Sequence, residues 1–116
     1  MIRDRSVEVV VVWTTFPSEK DPVPFARTLV EERLAACVTG QDGLRSIYRW
    51  RDQIENETEH HLMIKTTAGR VEALKRRFAE LHPSEVPEFL VLPIVDCSQS
   101  YLDWVRESTE PQVSVD

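Results

Sequence analysis

The sequence predicts an α+β fold whose elements follow one another as strand, helix, strand, strand, helix, strand, with an extra helix at the end. Three observations indicate this order: a dense β-branched run near the start, two helical stripes of apolar residues, and two alternating segments joined by a short polar turn between them. Two strand-helix-strand halves of this kind form one antiparallel sheet in the order 4-1-3-2, with both helices on one face.

The first strand and first helix have the clearest local signals. The β-branched run over residues 7–13 is typical of a strand buried on both faces, so we expect it at the centre of the sheet. Asp21 is the predicted cap of the first helix and Pro22 its first residue. The helix then presents an apolar stripe at three- and four-residue spacing, formed by Ala26, Leu29, Val30, Leu34 and Cys37.

The second and third strands are predicted to form a hairpin over residues 44–50 and 54–67. We place Trp50 opposite Ile54, with a three-residue loop over residues 51–53. This register sets Arg49 against Glu55 and would also pair the other arginines of the hairpin with glutamates.

The hairpin is long for its domain. Its third strand would reach roughly 45 Å at the usual rise per residue, whereas a compact chain of this length has a diameter of roughly 35 Å. The tip should therefore extend beyond the domain, and another copy of the chain is the simplest cover for its apolar residues.

The second half of the chain completes the pattern. The second helix is predicted over residues 68–81 and stops at His82, because the residue before Pro83 is disfavoured in helical space. The fourth strand spans residues 89–95, and Pro93 places it at an edge. The last helix starts at Ser98 or Ser100. Residues 1–116 are predicted to form one domain with an ordered core over about 7–109, a short charged start and a frayed tail.

Charge and composition exclude several classes of function. The chain has 116 residues with 14 basic and 20 acidic side chains, and its net charge is −6. Nucleic acids and anionic membranes both attract basic surfaces, so neither is an expected partner. No apolar run is long enough for a membrane span or a signal peptide. Two cysteines make no disulfide framework, and a reduced cytoplasmic protein is expected.

Five segments in order resemble the CutA family of divalent-cation tolerance proteins. They are residues 29–38 (LVEERLAACV), 46–50 (SIYRW), 64–66 (IKT), 82–88 (HPSEVPE, through its HP and VPE) and 101–105 (YLDWV). The resemblance extends from about residue 7 to residue 109. It implies a ferredoxin-like fold, a tight homotrimer with long hairpins like the PII signalling proteins, a cytoplasmic location and a link to copper tolerance.

The resemblance transfers only part of a metal site. In some members copper is assigned to a cysteine at the end of the first strand and to a histidine pair before the proline. The matching positions here are Thr14 and Leu81, which leaves His82 as the one retained ligand. A copper centre needs several converging nitrogen or sulfur ligands. His82 and, after it, Cys37 are the candidate metal ligands, with capping a helix and filling a small apolar space as their structural interpretations.

Adjacent His60 and His61 point to opposite faces of one strand and cannot chelate one metal within a chain.

Two further sets of residues are assigned to contacts between subunits. The candidate pocket between subunits consists of Lys65, Trp50, Tyr48, Glu88 and Tyr101. The candidate trimer contacts are Tyr48, Trp50, Ile54 and Trp104.

The leading hypothesis is a non-enzymatic homotrimer that acts in divalent metal tolerance, with copper or another divalent cation bound at the subunit boundary and no required cofactor. One alternative is a PII- or ACT-like small-molecule sensor, and another is a structural trimeric scaffold. An enzyme is not expected, since the sequence shows no nucleophile-histidine arrangement and no H-E-x-x-H motif.

Overall fold

A computed structural model describes residues 8–112 and confirms the predicted order of elements. The strands are β1 (Val9–Pro17), β2 (Cys37–Trp50), β3 (Gln53–Thr67) and β4 (Leu90–Pro93), and the helices are α1 (Val23–Glu31), α2 (Val71–Leu81) and α3 (Gln99–Thr109). A 3₁₀ turn, Ala68–Arg70, leads into α2. The predicted start of β1 at Val7, the charged amino-terminal segment and the end of the tail lie outside the described residues.

The four strands form one antiparallel sheet in the order β2-β3-β1-β4, as predicted. β1 is central and pairs with β3 along its whole length, from Val9 with Thr67 to Pro17 with Glu59. β4 pairs only with β1, which confirms its place at an edge.

The two faces of the sheet have different covers. One face packs on α1 and α2 through a buried cluster that includes Val12, Leu62, Leu29, Leu74 and Phe78. At one end of the opposite face, α3 buries Val105 against residues of β1 and the α1–β2 connection. The rest of that second face is where the long hairpin and the loop before β4 meet.

The first helix ends earlier than its apolar stripe suggests. Arg33 adopts a φ of 61°, and the amide of Leu34 donates to the carbonyl oxygen of Leu29. The amide of Arg33 donates to Val30 in the same turn, which is the Schellman pattern of a helix end. Leu34 is still buried, but Cys37 is the first residue of β2, seven residues before the predicted start of that strand.

The predicted register of the hairpin is wrong by one residue. Trp50 pairs with Gln53 and Arg49 pairs with Ile54, so the loop contains only Arg51 and Asp52. Both loop residues have positive φ, 49° and 63°. Two-residue turns of this kind match the right-handed twist of the strands, and that match outweighs the charge pairs used for the prediction.

The observed register gives the hairpin two different faces. Cross-strand partners share a face, so Tyr48 lies with Glu55 and Ser46 with Glu57. The other face carries the arginines and isoleucines of the hairpin, Arg45, Ile47, Arg49 and Ile54. The arginines therefore do not neutralise the glutamates across the ladder, contrary to the prediction.

The hairpin extends beyond the rest of the sheet, as its length predicted. Because β1 pairs with β3 only as far as Glu59, the residues of β3 nearer the turn have β2 as their one strand partner. The described part of the chain measures 48 × 37 × 22 Å, with a radius of gyration of 15.6 Å. Within residues 8–112 no helix is long and apolar enough to cross a membrane.

Candidate functional site

A cleft of about 490 Å³ lies between the hairpin and the loop before β4. The hairpin contributes one aromatic and acidic wall, and the loop contributes a second wall with two more carboxylates. The lining residues are Thr15, Ser46, Tyr48, Trp50, Glu59, Ser84, Glu85, Val86, Pro87 and Glu88. A neighbouring cavity of about 280 Å³ shares four of them and adds Glu19 and Glu57.

Local sequence rules build both walls. Side chains alternate along a strand, so Ser46, Tyr48 and Trp50 project from one face of β2. On the other side, α2 ends at Leu81, and two prolines, Pro83 and Pro87, stiffen the loop that leads to β4. The two walls face each other across the end of β1, where Thr15 forms part of the cleft.

The cleft has an excess of negative charge. Glu59 accepts a hydrogen bond from the Ser46 hydroxyl at 3.3 Å, and within residues 8–112 neither Glu59 nor Glu88 forms an ion pair. Burial raises the pKa of the Tyr48 phenol, and the negative charges of Glu57, Glu59 and Glu55 raise it further. The cleft therefore favours a cationic ligand over an anionic one.

One cation of the chain already lies against this cleft. The guanidinium carbon of Arg51 is 5.1 Å from the centre of the Trp50 ring, and its Nη2 donates to Oε2 of Glu85 at 2.8 Å. Trp50 and Glu85 belong to opposite walls. Arg51 therefore connects the tip of the hairpin to the loop.

The structure brings together three of the five predicted pocket residues, Tyr48, Trp50 and Glu88. Lys65 lies elsewhere and donates to the Thr39 hydroxyl at 2.9 Å, with its Nζ 3.9 Å from Cys37 Sγ. Tyr101 packs with the α3 cluster and lies 5.5 Å from the ring of Trp104. Within a single chain, these two residues do not reach the cleft.

Glu85 and Glu59 were missed as cleft residues, whereas Glu88 was predicted. The wrong register set Glu59 against an arginine and so made it appear structural. With a two-residue turn the same alternation would have placed Ser46, Tyr48 and Trp50 beside the glutamates of β3. The position of Glu85 depends on how the loop folds back, and no local pattern in the sequence indicates that.

His82 is buried and has hydrogen bonds at both ring nitrogens. Its Nε2 donates to the carbonyl oxygen of Thr15 at 2.7 Å, and its Nδ1 accepts from the amide of Ser84 at 3.1 Å. This pattern requires the neutral ring, and burial lowers the pKa of His82, opposed by the Thr15 hydrogen bond and by Glu59. The expectation that His82 caps the end of α2 is confirmed, since it is the C-cap residue. Its neutral ring adds no positive charge at that helix end, so the expected dipole interaction is wrong.

The candidate metal ligands do not converge. Cys37 pairs with Lys65 of β3, which in turn pairs with Val11, whereas His82 lies beside Thr15, four residues further along β1. At the other two family positions, Thr14 is fully buried and Leu81 packs against the core. Among residues 8–112 no group of three or more histidines, cysteines, aspartates or glutamates could hold a metal ion.

Known proteins place this chain in a family. Residues 10–108 match the family model described as CutA1 divalent ion tolerance protein. A divalent-cation tolerance protein CutA from Thermus thermophilus is 48% identical over 99 residues, which are 85% of this chain and 96% of that protein. The human Protein CutA is 42% identical over 102 residues, 88% of this chain but only 57% of the human protein.

Solved structures agree with the sequence match. The Thermus thermophilus divalent cation tolerance protein superposes with a TM-score of 0.83 at 47% identity, covering 88% of this chain and 99% of that one. CutA1 from Oryza sativa gives a TM-score of 0.85 at 33% identity, with 92% and 98% covered. The family match spans most of the sequence and the fold agrees throughout. The chain therefore belongs to the CutA1 divalent ion tolerance protein family.

Proposed function

We propose that the chain forms a cytoplasmic, PII-like homotrimer that acts without catalysis in tolerance of divalent cations such as copper. Family membership supports the link to divalent cations. The observation that carries the assembly is the two-faced hairpin. Within residues 8–112 Ile47 and Ile54 stay mostly exposed on one face, and the loop before β4 lies across only part of the other.

The hairpin faces are complementary to each other. One face is acidic and aromatic, and the opposite face presents two arginines with Ile47 and Ile54, which are 68% and 63% exposed. A contact between unlike faces of neighbouring copies is heterologous, and such contacts close into rings when the rotation permits. The edge strand β4 adds three exposed apolar residues, Leu90, Val91 and Leu92, and its outer edge has no strand partner among the described residues.

In this assembly Ile54 would contact a neighbouring copy directly. Tyr48 and Trp50 line the cleft, so their proposed trimer contacts would lie at its border. Trp104 is exposed on α3 and is retained as a proposed contact.

A divalent cation would bind at the subunit boundary. One chain offers no complete ligand set within residues 8–112, and His82 uses both nitrogens internally. The acidic face of the hairpin, with Glu55 and Glu57, has carboxylates without basic partners across the ladder. Carboxylates from two or three copies would together provide oxygen ligands that a single copy lacks.

The test combines mass and metal binding. We expect light scattering to give a mass of about three chains with or without Cu²⁺. Titration with Cu²⁺ and Zn²⁺ should show saturable uptake near micromolar concentration that is reduced in the double variant Glu55→Gln/Glu57→Gln. The control variant Glu72→Gln/Glu107→Gln removes two exposed charges from helices and should bind metal normally.

A monomeric mass would contradict the ring. Weak, non-saturable uptake would show that direct metal binding is wrong for this protein. Equal losses in both double variants would show that only the overall charge matters and would remove the hairpin from the proposal.

A further inference from the structure

We propose that a cavity at the end of the sheet opposite the hairpin turn binds hydrogen phosphate. The cavity has a volume of about 280 Å³ and lies between the end of β3, the 3₁₀ turn before α2 and the end of α3. We call it the basal cavity, and its lining residues are Thr67, Gly69, Arg70, Arg106, Thr109, Glu110 and Pro111. Neither the metal proposal nor the trimer proposal is needed for this site.

The basal cavity lies away from the contacts proposed for the ring. β1 pairs with β3 from Thr67 at one end of the sheet to Glu59 at the other, and the hairpin turn lies beyond Glu59. Thr67 lines the cavity at the first end. The lining includes no residue of the two hairpin faces or of β4, and it does not include Trp104. A ligand would therefore reach the basal cavity both in a single chain and in the proposed ring.

Two guanidinium groups of the basal cavity have no carboxylate partner. Arg70 is half-buried and Arg106 is exposed, and neither forms an ion pair within residues 8–112. Arg70 donates through Nε to the carbonyl oxygen of Arg33 at 3.3 Å, which fixes the direction of its side chain and leaves both of its Nη nitrogens available. Two guanidiniums beside one cavity suit an anion with several acceptor oxygens.

The negative end of α3 is already compensated. The last carbonyl groups of a helix carry partial negative charge and would oppose an anion nearby. The guanidinium of Arg33 donates to two of these groups, the carbonyl oxygens of Glu107 and Glu110. A third arginine thus serves the helix end, and Arg70 and Arg106 remain available to a ligand.

A buried hydroxyl is an independent indication of a ligand. Thr67 is 5% exposed, and its hydroxyl makes no cap hydrogen bond and has no other hydrogen-bond partner in the described part of the chain. Burying a polar group without a partner is costly, and an oxyanion in the basal cavity would accept a hydrogen bond from it. Thr109 lines the same cavity, but its hydroxyl already donates to the carbonyl oxygen of Val105 at 2.8 Å.

Glu110 favours a protonated oxyanion. Its side chain is exposed, lines the basal cavity and forms no ion pair among the described residues. A carboxylate only accepts hydrogen bonds, so it repels a fully ionised anion such as sulfate. Hydrogen phosphate keeps a proton at neutral pH and can donate it to the carboxylate while its other oxygens accept from the arginines.

Inorganic phosphate is the probe, and sulfate at the same ionic strength is the control ligand, because salt screens exposed charges. Calorimetry measures the affinity, and the NMR shift of the Gly69 amide shows whether the anion enters the basal cavity. Methyl phosphate separates the free anion from a phosphoryl group on a larger ligand. A phosphate monoester has a second pKa of about 6 and loses its proton above pH 7. We therefore expect it to bind more weakly than inorganic phosphate.

Two matched pairs of variants test the lining residues. Arg106→Gln should weaken phosphate binding about tenfold because a charge-assisted hydrogen bond is lost. Arg76→Gln removes an exposed charge from α2 and should leave binding unchanged. Thr67→Val should weaken binding about fivefold, whereas Thr109→Val removes a hydroxyl that is already used and should not. Glu110→Gln should bring the affinity for sulfate close to that for phosphate. Thermal unfolding of each variant confirms that it is folded.

Saturable phosphate binding that moves the Gly69 amide, and that is weakened by Arg106→Gln and Thr67→Val but not by their controls, supports the proposal. Lack of saturable binding at millimolar concentration overturns it. Equal weakening by Arg76→Gln and Arg106→Gln also overturns it, since only the overall charge would then matter. Sulfate or methyl phosphate bound as tightly as inorganic phosphate by the wild type would overturn the role of Glu110 and the assignment of hydrogen phosphate as the ligand.

Discussion

The imidazole of His82 donates from Nε2 to the carbonyl oxygen of Thr15, across 2.7 Å. β4 pairs with β1 only between Val10 and Trp13, so Thr15 lies past the end of β4 and has no partner on that strand. The ring of His82 packs among aromatic neighbours, with its centre 4.9 Å from that of Phe78. A histidine at the end of α2 thereby completes the central strand of the sheet.

This contact predicts that acid destabilises the protein. Because burial lowers the pKa of His82 in the folded chain, the unfolded chain, with an ordinary pKa of about 6.5, binds the proton first. Stability should be highest above that value and should decrease as the pH falls through it towards the lower folded pKa. The His61 pKa is lowered by burial as well, opposed by Glu88, and acts in the same direction.

Urea unfolding at pH 7.5 and pH 5.0, at one protein concentration, measures the difference. His82→Gln keeps a donor for Thr15 but cannot titrate, so it should reduce the pH dependence. An NMR titration in which the His82 ring becomes protonated at or above pH 6.5 would contradict the neutral, doubly hydrogen-bonded assignment.

Two buried threonines predict opposite results for the same substitution. Thr66 is 0% exposed, and its hydroxyl has no hydrogen-bond partner within residues 8–112. Thr109 is 2% exposed, and its hydroxyl donates to Val105 at 2.8 Å. Thr66→Val should stabilise the protein by about 1 kcal/mol, because a costly unsatisfied hydroxyl is removed, whereas Thr109→Val should destabilise it by about 1 kcal/mol.

Thermal or urea unfolding of the two valine variants gives the comparison directly. Both substitutions add similar apolar surface at fully buried sites, so each serves as the control for the other. Equal changes of the same sign in both variants would show that packing, rather than the hydroxyl hydrogen bond, decides the result.

Most of the fold could be predicted because its signals are local. The apolar stripe of α2, the β-branched run of β1 and Pro93 at the edge strand each depend on a few neighbouring residues. The hairpin register could not be predicted by charge pairing, since two left-handed residues, Arg51 and Asp52, close a tighter turn. Predicting the lining of the cleft required the correct register and the path of the loop that carries Glu85. Only part of the lining was therefore predicted.

At Arg33 we expect glycine to be less destabilising than alanine, the reverse of their usual order within a helix. Its φ of 61° favours glycine, while its guanidinium donates to the carbonyl oxygens of Glu107 and Glu110 at the end of α3. Arg33→Ala loses those hydrogen bonds and retains the unfavourable conformation. Arg33→Gly loses the same bonds but relieves the backbone.

We therefore expect Arg33→Gly to be more stable than Arg33→Ala by about 1 kcal/mol, which is the typical cost of the left-handed conformation for a residue with a Cβ. Both variants should be less stable than the wild type. Urea unfolding measures the three proteins, and an alanine variant as stable as the glycine variant would refute the Schellman assignment of this helix end.

The edge strand β4 makes the sharpest prediction about assembly. Leu92 is exposed on this strand, next to an outer edge with no strand partner in the described chain. In the proposed ring it would be covered by another copy, so Leu92→Lys should place an unpaired charge in the contact and shift the mass from three chains towards one. Desolvating an unpaired charge is costly enough to disrupt a contact of ordinary size.

Val23→Lys is the control, because Val23 is also an exposed apolar residue, 62% exposed against 40% for Leu92, and lies at the start of α1 on the opposite side of the sheet. Light scattering at several protein concentrations should show a trimer for wild type and Val23→Lys and dissociation for Leu92→Lys. The far-ultraviolet circular dichroism of all three should agree if the fold is intact. A Leu92→Lys variant that remains trimeric would exclude the β4 edge from the interface, and the hairpin faces alone would then have to hold the ring together.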